Sequence, residues 1–246
     1  MTELVHLAVT DGVATITLDS PHNRNALSAQ LTTELLAALR EAEKDDAVKV
    51  VVLAAEGPVF CSGADLSEAS VGDFAEGPRT IVRLQRTIVA LAKPVVARVQ
   101  GPVRAGGFAL VAGADIAIAH RDVSFSLTEV RLGLAAAAIS VTVFPRLTPR
   151  AAAYAVLTAD TFDADRAAEI GLITTATDDL DAEVERVVGL LGKGTPQGLR
   201  ESKRLLVRDL VAHIDEHGEE MAQLSARLFG SDEAREAMLA FLSRKK

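Results

Sequence analysis

Val48 to Ala54 is apolar but for Lys49, and it runs through Gly57-Pro58 into Phe60-Cys61-Ser62-Gly63-Ala64-Asp65-Leu66. Val95 to Val99 leads in the same way into Gly101-Pro102-Val103-Arg104-Ala105-Gly106-Gly107. Hydrophobic runs of this length are typical of buried strands. Where such a strand gives way to small residues, backbone N–H groups stand open with no side chain in the way. Two convergent N–H groups can hold a developing oxyanion. Either segment alone reads as a tight turn or as glycine-mediated helix packing. Their order along the chain is what gives them weight: each follows a strand, and the second opens a helix whose N-terminal dipole favours negative charge.

A carboxylate follows in Phe125-Ser126-Leu127-Thr128-Glu129-Val130-Arg131-Leu132-Gly133. A lone Glu in a mixed segment is ordinarily a solvated charge. Glu129, however, lies between Leu127 and Leu132, after a strand and before a glycine. A carboxyl group beside apolar walls has a raised pKa and can shuttle a proton. Two backbone donors and one carboxylate are the parts needed for proton transfer beside a thioester carbonyl.

The rest of the chain supplies a scaffold. Leu4 to Val9 and Val13 to Leu18 flank Asp11-Gly12, a hairpin signal. Ser28 reads as the N-cap of a helix carrying Leu31, Leu35, Leu36 and Leu39. Residues 67–77 read as a mobile loop. Ile81, Leu84, Ile88 and Leu91 mark a helix that stops before Pro94. Ile116 to Ala119 and Val123 to Leu127 read as short strands, and Ile173 to Thr175 as one more. Asp163 caps a helix that Gly171 ends. Leu180, Val184, Val187 and Leu191 repeat at helical spacing, and Pro196 suits a first helical position. The spacing predicts a core over 1–195 and a helical C-terminal region over 196–246. In that region Leu205, Leu206, Leu210, Met221, Leu224, Leu228 and Phe229 offer more apolar helix surface than a short tail needs, which points to an interface.

Composition excludes several classes. The 246 residues carry a net charge of −8, so the whole chain lacks the basic footprint of a nucleic-acid binder. Its longest near-apolar stretch, Ala105 to Ala119, is broken by Asp115 and falls short of a membrane span. Met1-Thr2-Glu3-Leu4 has no basic region before an apolar run, so the expectation is a cytoplasmic protein without a signal peptide. Cys61 is the only cysteine and reads as a small core filler. The histidines have no shared ligand spacing, and His213 and His217 read as a solvated helix face, so no metal site is expected. No P-loop, dinucleotide-binding glycine motif or nucleophile elbow occurs.

The combination of Asn23-Arg24-Asn25-Ala26-Leu27-Ser28, Phe60-Cys61-Ser62-Gly63-Ala64-Asp65-Leu66, Gly101…Ala105-Gly106-Gly107…Ala114-Asp115-Ile116 and Phe125…Glu129…Leu132-Gly133 resembles the enoyl-CoA hydratase/isomerase (crotonase) superfamily. The resemblance continues through Ala168-Glu169-Ile170-Gly171-Leu172 to Ser231–Met238. It implies an α/β fold, a spiral of β-β-α units with a helical C-terminal trimerisation region, assembled as a homotrimer or a hexamer of paired trimers. It implies a thioester oxygen held by the N–H groups of Ala64 and Gly106, with Glu129 as the catalytic carboxylate. Coenzyme A, part of the substrate rather than a bound cofactor, would lie over Arg24, Ala26, Leu27, Ser62, Asp65, Leu66 and Thr128. Phe241 and Lys245 would reach it from a neighbouring chain. Val71 to Pro78 and Ala135 to Val143 would shape the acyl pocket.

One departure matters. Hydratases of this family commonly carry a second glutamate two residues after the second glycine of the oxyanion loop. Ala109 stands there, and Leu134-Ala135-Ala136-Ala137-Ala138-Ile139 replaces the usual glycine-rich loop. The reading is therefore an enoyl-CoA hydratase of fatty or branched acyl-CoA metabolism. The alternatives are a 3,2-enoyl-CoA isomerase using Glu129 alone and an acyl-CoA-binding protein with weak or lost catalysis.

Overall fold

The computed structural model describes residues 2–69 and 75–243. Its first hairpin joins β1 (Val5–Thr10) and β2 (Val13–Leu18), with Asp11 and Gly12 both at positive φ, as a tight two-residue turn requires. Helix α1 (Ala29–Lys44) starts where Ser28 Oγ accepts the Leu31 N–H at 3.2 Å, and it buries Leu31, Leu35, Leu36 and Leu39. Strand β3 (Val50–Ala55) follows, then a single turn, α2 (Leu66–Ala69), and α3 (Glu76–Ala90). The loop expected over 67–77 is thus helical at both ends, because Leu66–Ala69 closes a turn and Glu76-Gly77-Pro78 opens α3. Val71 and Gly72 lie outside the described residues.

After β4 (Val95–Val99) the chain moves to and fro between two sheets. The sequence continues through β5 (Val103–Arg104), α4 (Phe108–Gly113), β6 (Ile116–His120), β7 (Ser124–Ser126), α5 (Ala137–Arg146), α6 (Pro149–Thr158), β8 (Phe162–Asp163), α7 (Ala164–Glu169) and β9 (Thr175–Thr177). The larger sheet has the order β1-β2-β3-β4-β6-β9, parallel throughout except for the first hairpin; the smaller has the order β5-β7-β8. Each return from one sheet to the other carries the chain one step along the molecule, which is the spiral expected from sequence. Strand β9 begins two residues later than predicted, since Thr174 is spent on the Ala117 carbonyl just before the ladder.

The larger sheet is covered on both faces, and β3 shows how. Val51, Leu53 and Ala55 point into the main core with α1 and α3, while Val50 and Val52 meet Leu180 and Val184 of α8 (Leu180–Gly192). All six β3 residues are buried, which accounts for the run having no polar alternation.

The chain ends in α9 (Pro196–Phe229) and α10 (Asp232–Ser243). Thr195 caps α9 through the Gly198 N–H, with Pro196 at its first position. Helix α9 packs on α3 and α5 of its own chain. At the crossing, a Cβ on Gly218 would lie 2.6 Å from Val82 Cγ1, so any larger residue there would force Val82 to shift. Lys203, 5% exposed, donates to Asp115 Oδ2 at 2.7 Å and to the Lys93 carbonyl at 3.0 Å. Asp115 also accepts the Val95 N–H at 2.7 Å, so this buried pair ties α9 to the start of β4. The apolar residues singled out on α9 divide. Leu210 and Met221 pack against the α3 and α5 cluster, and Leu228 and Phe229 against Leu134, Ala234 and Met238. Leu205 and Leu206 face outward, 69% and 84% exposed.

Candidate active site

Three chain segments meet at the C-terminal side of β3 and β4. Cys61 and Val103 form a parallel bridge, closed by the Arg104 N–H donating to the Cys61 carbonyl at 3.0 Å. Ala64 and Gly106 each lie three positions beyond a bridged residue. Each also follows a residue in the left-handed region, Gly63 at φ 94° and Ala105 at φ 46°. The two bends touch: a Cβ on Gly63 would stand 3.0 Å from both Ala105 Cβ and the Arg104 carbonyl oxygen. A Cβ on Gly106 would stand 3.3 Å from the Ala64 nitrogen, so the two peptide N–H groups are close neighbours. Gly106 lies in a 3-10 turn, Ala105–Gly107, whose first N–H groups have no intrahelical acceptor.

The third segment is the loop before α1. Ser62 N–H donates to the Arg24 carbonyl at 3.1 Å, Leu27 N–H to the Gly63 carbonyl at 2.8 Å, and Asn23 Nδ2 to Asp65 Oδ2 at 3.1 Å. Arg24 and Asn25 are both at positive φ. Asn25, fully buried, holds that shape by donating to the Glu56 and Val59 carbonyls and accepting the Ser20 N–H. Burial pushes the Asp65 carboxyl up, but hydrogen bonds from Ser67 and Asn23 outweigh it and keep its pKa below the ordinary value.

Glu129 arrives from the other side. It opens a 3-10 turn, Glu129–Leu132, that ends at Gly133 with φ 67°, and α10 packs against this turn. Glu129 is half-buried as a residue, yet its Oε2 is sealed from solvent and has no hydrogen-bond partner among the described residues. Burial pushes its pKa up from 4.5 to about 7. No cation among the described residues offsets that penalty, so the group sits poised between its two protonation states near neutrality.

A cavity of about 1560 Å³ joins these parts. It is lined by Arg24, Ala26, Leu27, Ser62, Ala64, Asp65, Leu66, Gly106, Thr128, Glu129 and Phe241. The site residues expected from sequence are therefore brought to one space, except Lys245, which lies outside the described residues. Phe241, expected from a neighbouring chain, lines the cavity of its own chain because α10 folds back over the Glu129 turn. Glu76 to Pro78 and Ala135 to Ile139 line it too, within the two segments expected to shape the pocket. Ala109 is fully buried in α4 and is not a lining residue. Cys61 is fully buried and its thiol is pushed up to about 12, as suits a core filler. Among the described residues no group of three or more His, Cys, Asp or Glu could hold a metal ion, and no helix is long and apolar enough to cross a membrane.

Two contributions to the site are not foreseen from sequence. Ser225, Phe229, Ala237 and Ala240 bring α9 and α10 into the cavity wall. Arg104 lines the wall while its guanidinium bonds to Ser124. A charged residue inside a run of small ones is the one signal that points to Arg104. Of the helices only Phe241 is singled out, by the family resemblance, since the approach of Ser225, Phe229, Ala237 and Ala240 depends on contacts far along the chain.

The family model described as enoyl-CoA hydratase/isomerase matches residues 8–246. The chain belongs to that family. A solved structure of a putative enoyl-CoA hydratase from Mycobacterium avium paratuberculosis K-10 is 51% identical, covers 98% of this chain and 97% of its own, and superposes with a TM-score of 0.93. A probable enoyl-CoA hydratase of Mycobacterium leprae (strain TN) is 30% identical over 98% of this chain and 97% of its own length. The 1,2-epoxyphenylacetyl-CoA isomerase of Escherichia coli (strain K12) is 31% identical over 73% of this chain and 71% of its own. Relatives in this enoyl-CoA hydratase/isomerase family thus carry names that denote different reactions, and the reaction of this member has to be argued from its site.

Proposed function

We propose that this protein transfers a proton at the α-carbon of an enoyl-CoA thioester, through an enolate held by the Ala64 and Gly106 N–H groups, with Glu129 as the proton carrier. The observation that carries this reading is the Glu129 carboxyl. Its Oε2 is sealed from solvent and unpaired, its pKa is raised to about 7, and Glu129 lines the same cavity as Ala64 and Gly106. A group with a pKa near the working pH can both take and return a proton. In hydration, carboxylate Glu129 takes a proton from water as the oxygen adds to the β-carbon. The electron pair moves to the thioester oxygen, and the proton then returns to the α-carbon as the enolate collapses. The coenzyme portion would run over Arg24, Ala26, Leu27, Ser62, Asp65, Leu66 and Thr128, with Phe241 and Lys245 as further contacts.

Double-bond migration is the second reading, and Ala109 favours it. A methyl group cannot orient or deprotonate water, whereas removing a proton from one carbon and returning it to another requires one carboxylate. The hydratase names of the relatives support the first reading, and the family's description as hydratase/isomerase leaves room for the second. The deciding experiment incubates the protein with a panel of enoyl-CoA thioesters and follows hydration and double-bond migration separately. Turnover that survives Glu129→Gln would remove this carboxylate from the mechanism. Binding with no turnover on any thioester would leave an acyl-CoA-binding protein.

Assembly as a trimer or a pair of trimers belongs to the same proposal, and the outward-facing Leu205 and Leu206 support it. A single monomeric species in light scattering at micromolar concentration would defeat it.

A further inference from the structure

Arg104 stands two residues before Gly106, on the last residue of β5, where the cavity wall begins. It is half-buried, and no carboxylate pairs with it among the described residues; burial alone acts on it, lowering its pKa from the ordinary value. Its guanidinium is nevertheless fully directed. Nη1 donates to the Ser124 carbonyl at 2.6 Å and to its own neighbour's carbonyl, that of Val103, at 2.9 Å; Nη2 donates to Ser124 Oγ at 2.8 Å. Its backbone N–H is spent on the Cys61 carbonyl at 3.0 Å. Arg104 is thus pinned to the first small-residue segment by its backbone and to β7 by its side chain.

Both attachments bear on the site. The peptide that ends in the Gly106 N–H begins at Ala105, a residue with a Cβ held at φ 46°. Such a conformation persists only where the surroundings over-determine it. The two fixed points of Arg104 immediately precede it. Strand β7, which receives the guanidinium, runs on through Leu127 and Thr128 to Glu129. One side chain therefore spans the segment that presents the Gly106 donor and the segment that presents the carboxylate. An apolar side chain of similar length would fill the space but could not hold Ser124.

We propose that Arg104 is a positioning residue: by gripping Ser124 it sets the direction of the Ala105–Gly106 peptide relative to the segment carrying Glu129. The inference rests on the reading of Ala64 and Gly106 as the thioester-oxygen donors.

The test uses the full chain with a thioester isotopically labelled at the carbonyl, read by difference infrared spectroscopy, together with kcat and KM for the best substrate of the panel. In the wild type, and equally in Glu129→Gln, the carbonyl stretch of the bound thioester should shift to lower frequency. In Arg104→Met that shift should shrink, and kcat should fall about 10–100-fold, the scale of a misplaced or lost donor, with KM within about threefold of the wild type. Arg104→Lys should restore part of the shift. Ser124→Ala removes one anchor without touching the arginine and should cost a smaller part of both. It serves as the reporter if Arg104→Met does not fold. An unchanged shift and kcat in folded Arg104→Met, or in Ser124→Ala where the first fails to fold, would overturn the proposal. So would a raised KM at constant kcat, which would make Arg104 a substrate-binding group. No shift in the wild type would overturn the donor assignment itself and this inference with it, whereas a shift without any Glu129-dependent turnover would spare the inference and remove only the catalytic role of Glu129.

Discussion

Ala64 and Gly106 reach the cavity from two segments whose backbones are bridged to each other, while Glu129 reaches it from one short turn propped by a C-terminal helix. The donor side is made of backbone. Its geometry follows from the Cys61–Val103 bridge, from the adjacent left-handed residues Gly63 and Ala105, and from Arg104 between the strands. The carboxylate side is a single side chain whose behaviour comes from what surrounds it rather than from any bond it makes. The contrast teaches that the two sides fail differently. The first should break on changes of backbone shape, loss of the Arg104 grip on Ser124 among them, and tolerate side-chain changes that leave that shape alone. The second should tolerate changes of shape and break on loss of one ionisable group.

The largest effect is expected at Glu129. Glu129→Gln keeps the shape and removes the proton carrier, and it should lower turnover about 10²–10⁴-fold with little change in thioester affinity, measured by steady-state kinetics and calorimetry. Next comes Gly63→Ala, the reciprocal case. The new methyl would stand 3.0 Å from Ala105 Cβ and the Arg104 carbonyl at a φ of 94°. Turnover should drop roughly 10²-fold as the donors separate. The melting temperature should fall as well, which Glu129→Gln should not cause. If Gly63→Ala keeps full activity, the donor side is not shape-limited.

The pH dependence isolates the carboxylate. Below about pH 4.5 the Glu129 carboxyl is protonated in the folded and the unfolded chain alike, and it costs nothing. As pH rises toward 7 the unfolded chain ionises first, so stability is lost through this interval and the loss is complete above the folded value. Glu129→Gln should therefore be more stable than the wild type at pH 8, by about 2–3 kcal/mol, and no more stable at pH 4. Denaturant melts of both proteins at the two pH values measure the difference, and a gain independent of pH would mean that burial is not what raises this group. In wild-type activity the same group should appear as a rise in kcat/KM through about pH 7, where the carboxylate form takes over. The smallest effect is expected for Ala105→Gly, which relieves a Cβ at positive φ and should change stability by less than about 1 kcal/mol. Turnover should stay within about twofold, because Arg104 already directs the peptide that follows.

Short-range features are legible in the amino-acid sequence alone. The Asp11-Gly12 turn, the Ser28 and Asp163 caps and Pro196 at a helix start all involve partners within a few residues, and each is found in place. The candidate site residues are legible for a different reason: small residues at strand exits and a glutamate among leucines suggest backbone donors and a proton carrier, and the family resemblance assigns them and the remaining contacts to one site. What the linear order does not settle is anything that depends on distant partners. Asp115 reads as a mere interruption of an apolar stretch, and it is buried against Lys203. The apolar face of α9 reads as surplus, yet Leu210, Met221, Leu228 and Phe229 are spent on α3, α5 and α10 of the same chain. The order of strands across two sheets, the closing of the cavity by α9 and α10, and the raised pKa of Glu129 arise in the same way. Burial is the sum of contacts from segments far apart in the chain, α10 on the Glu129 turn among them, and a carboxyl group acquires its chemistry only once those segments have excluded water from it.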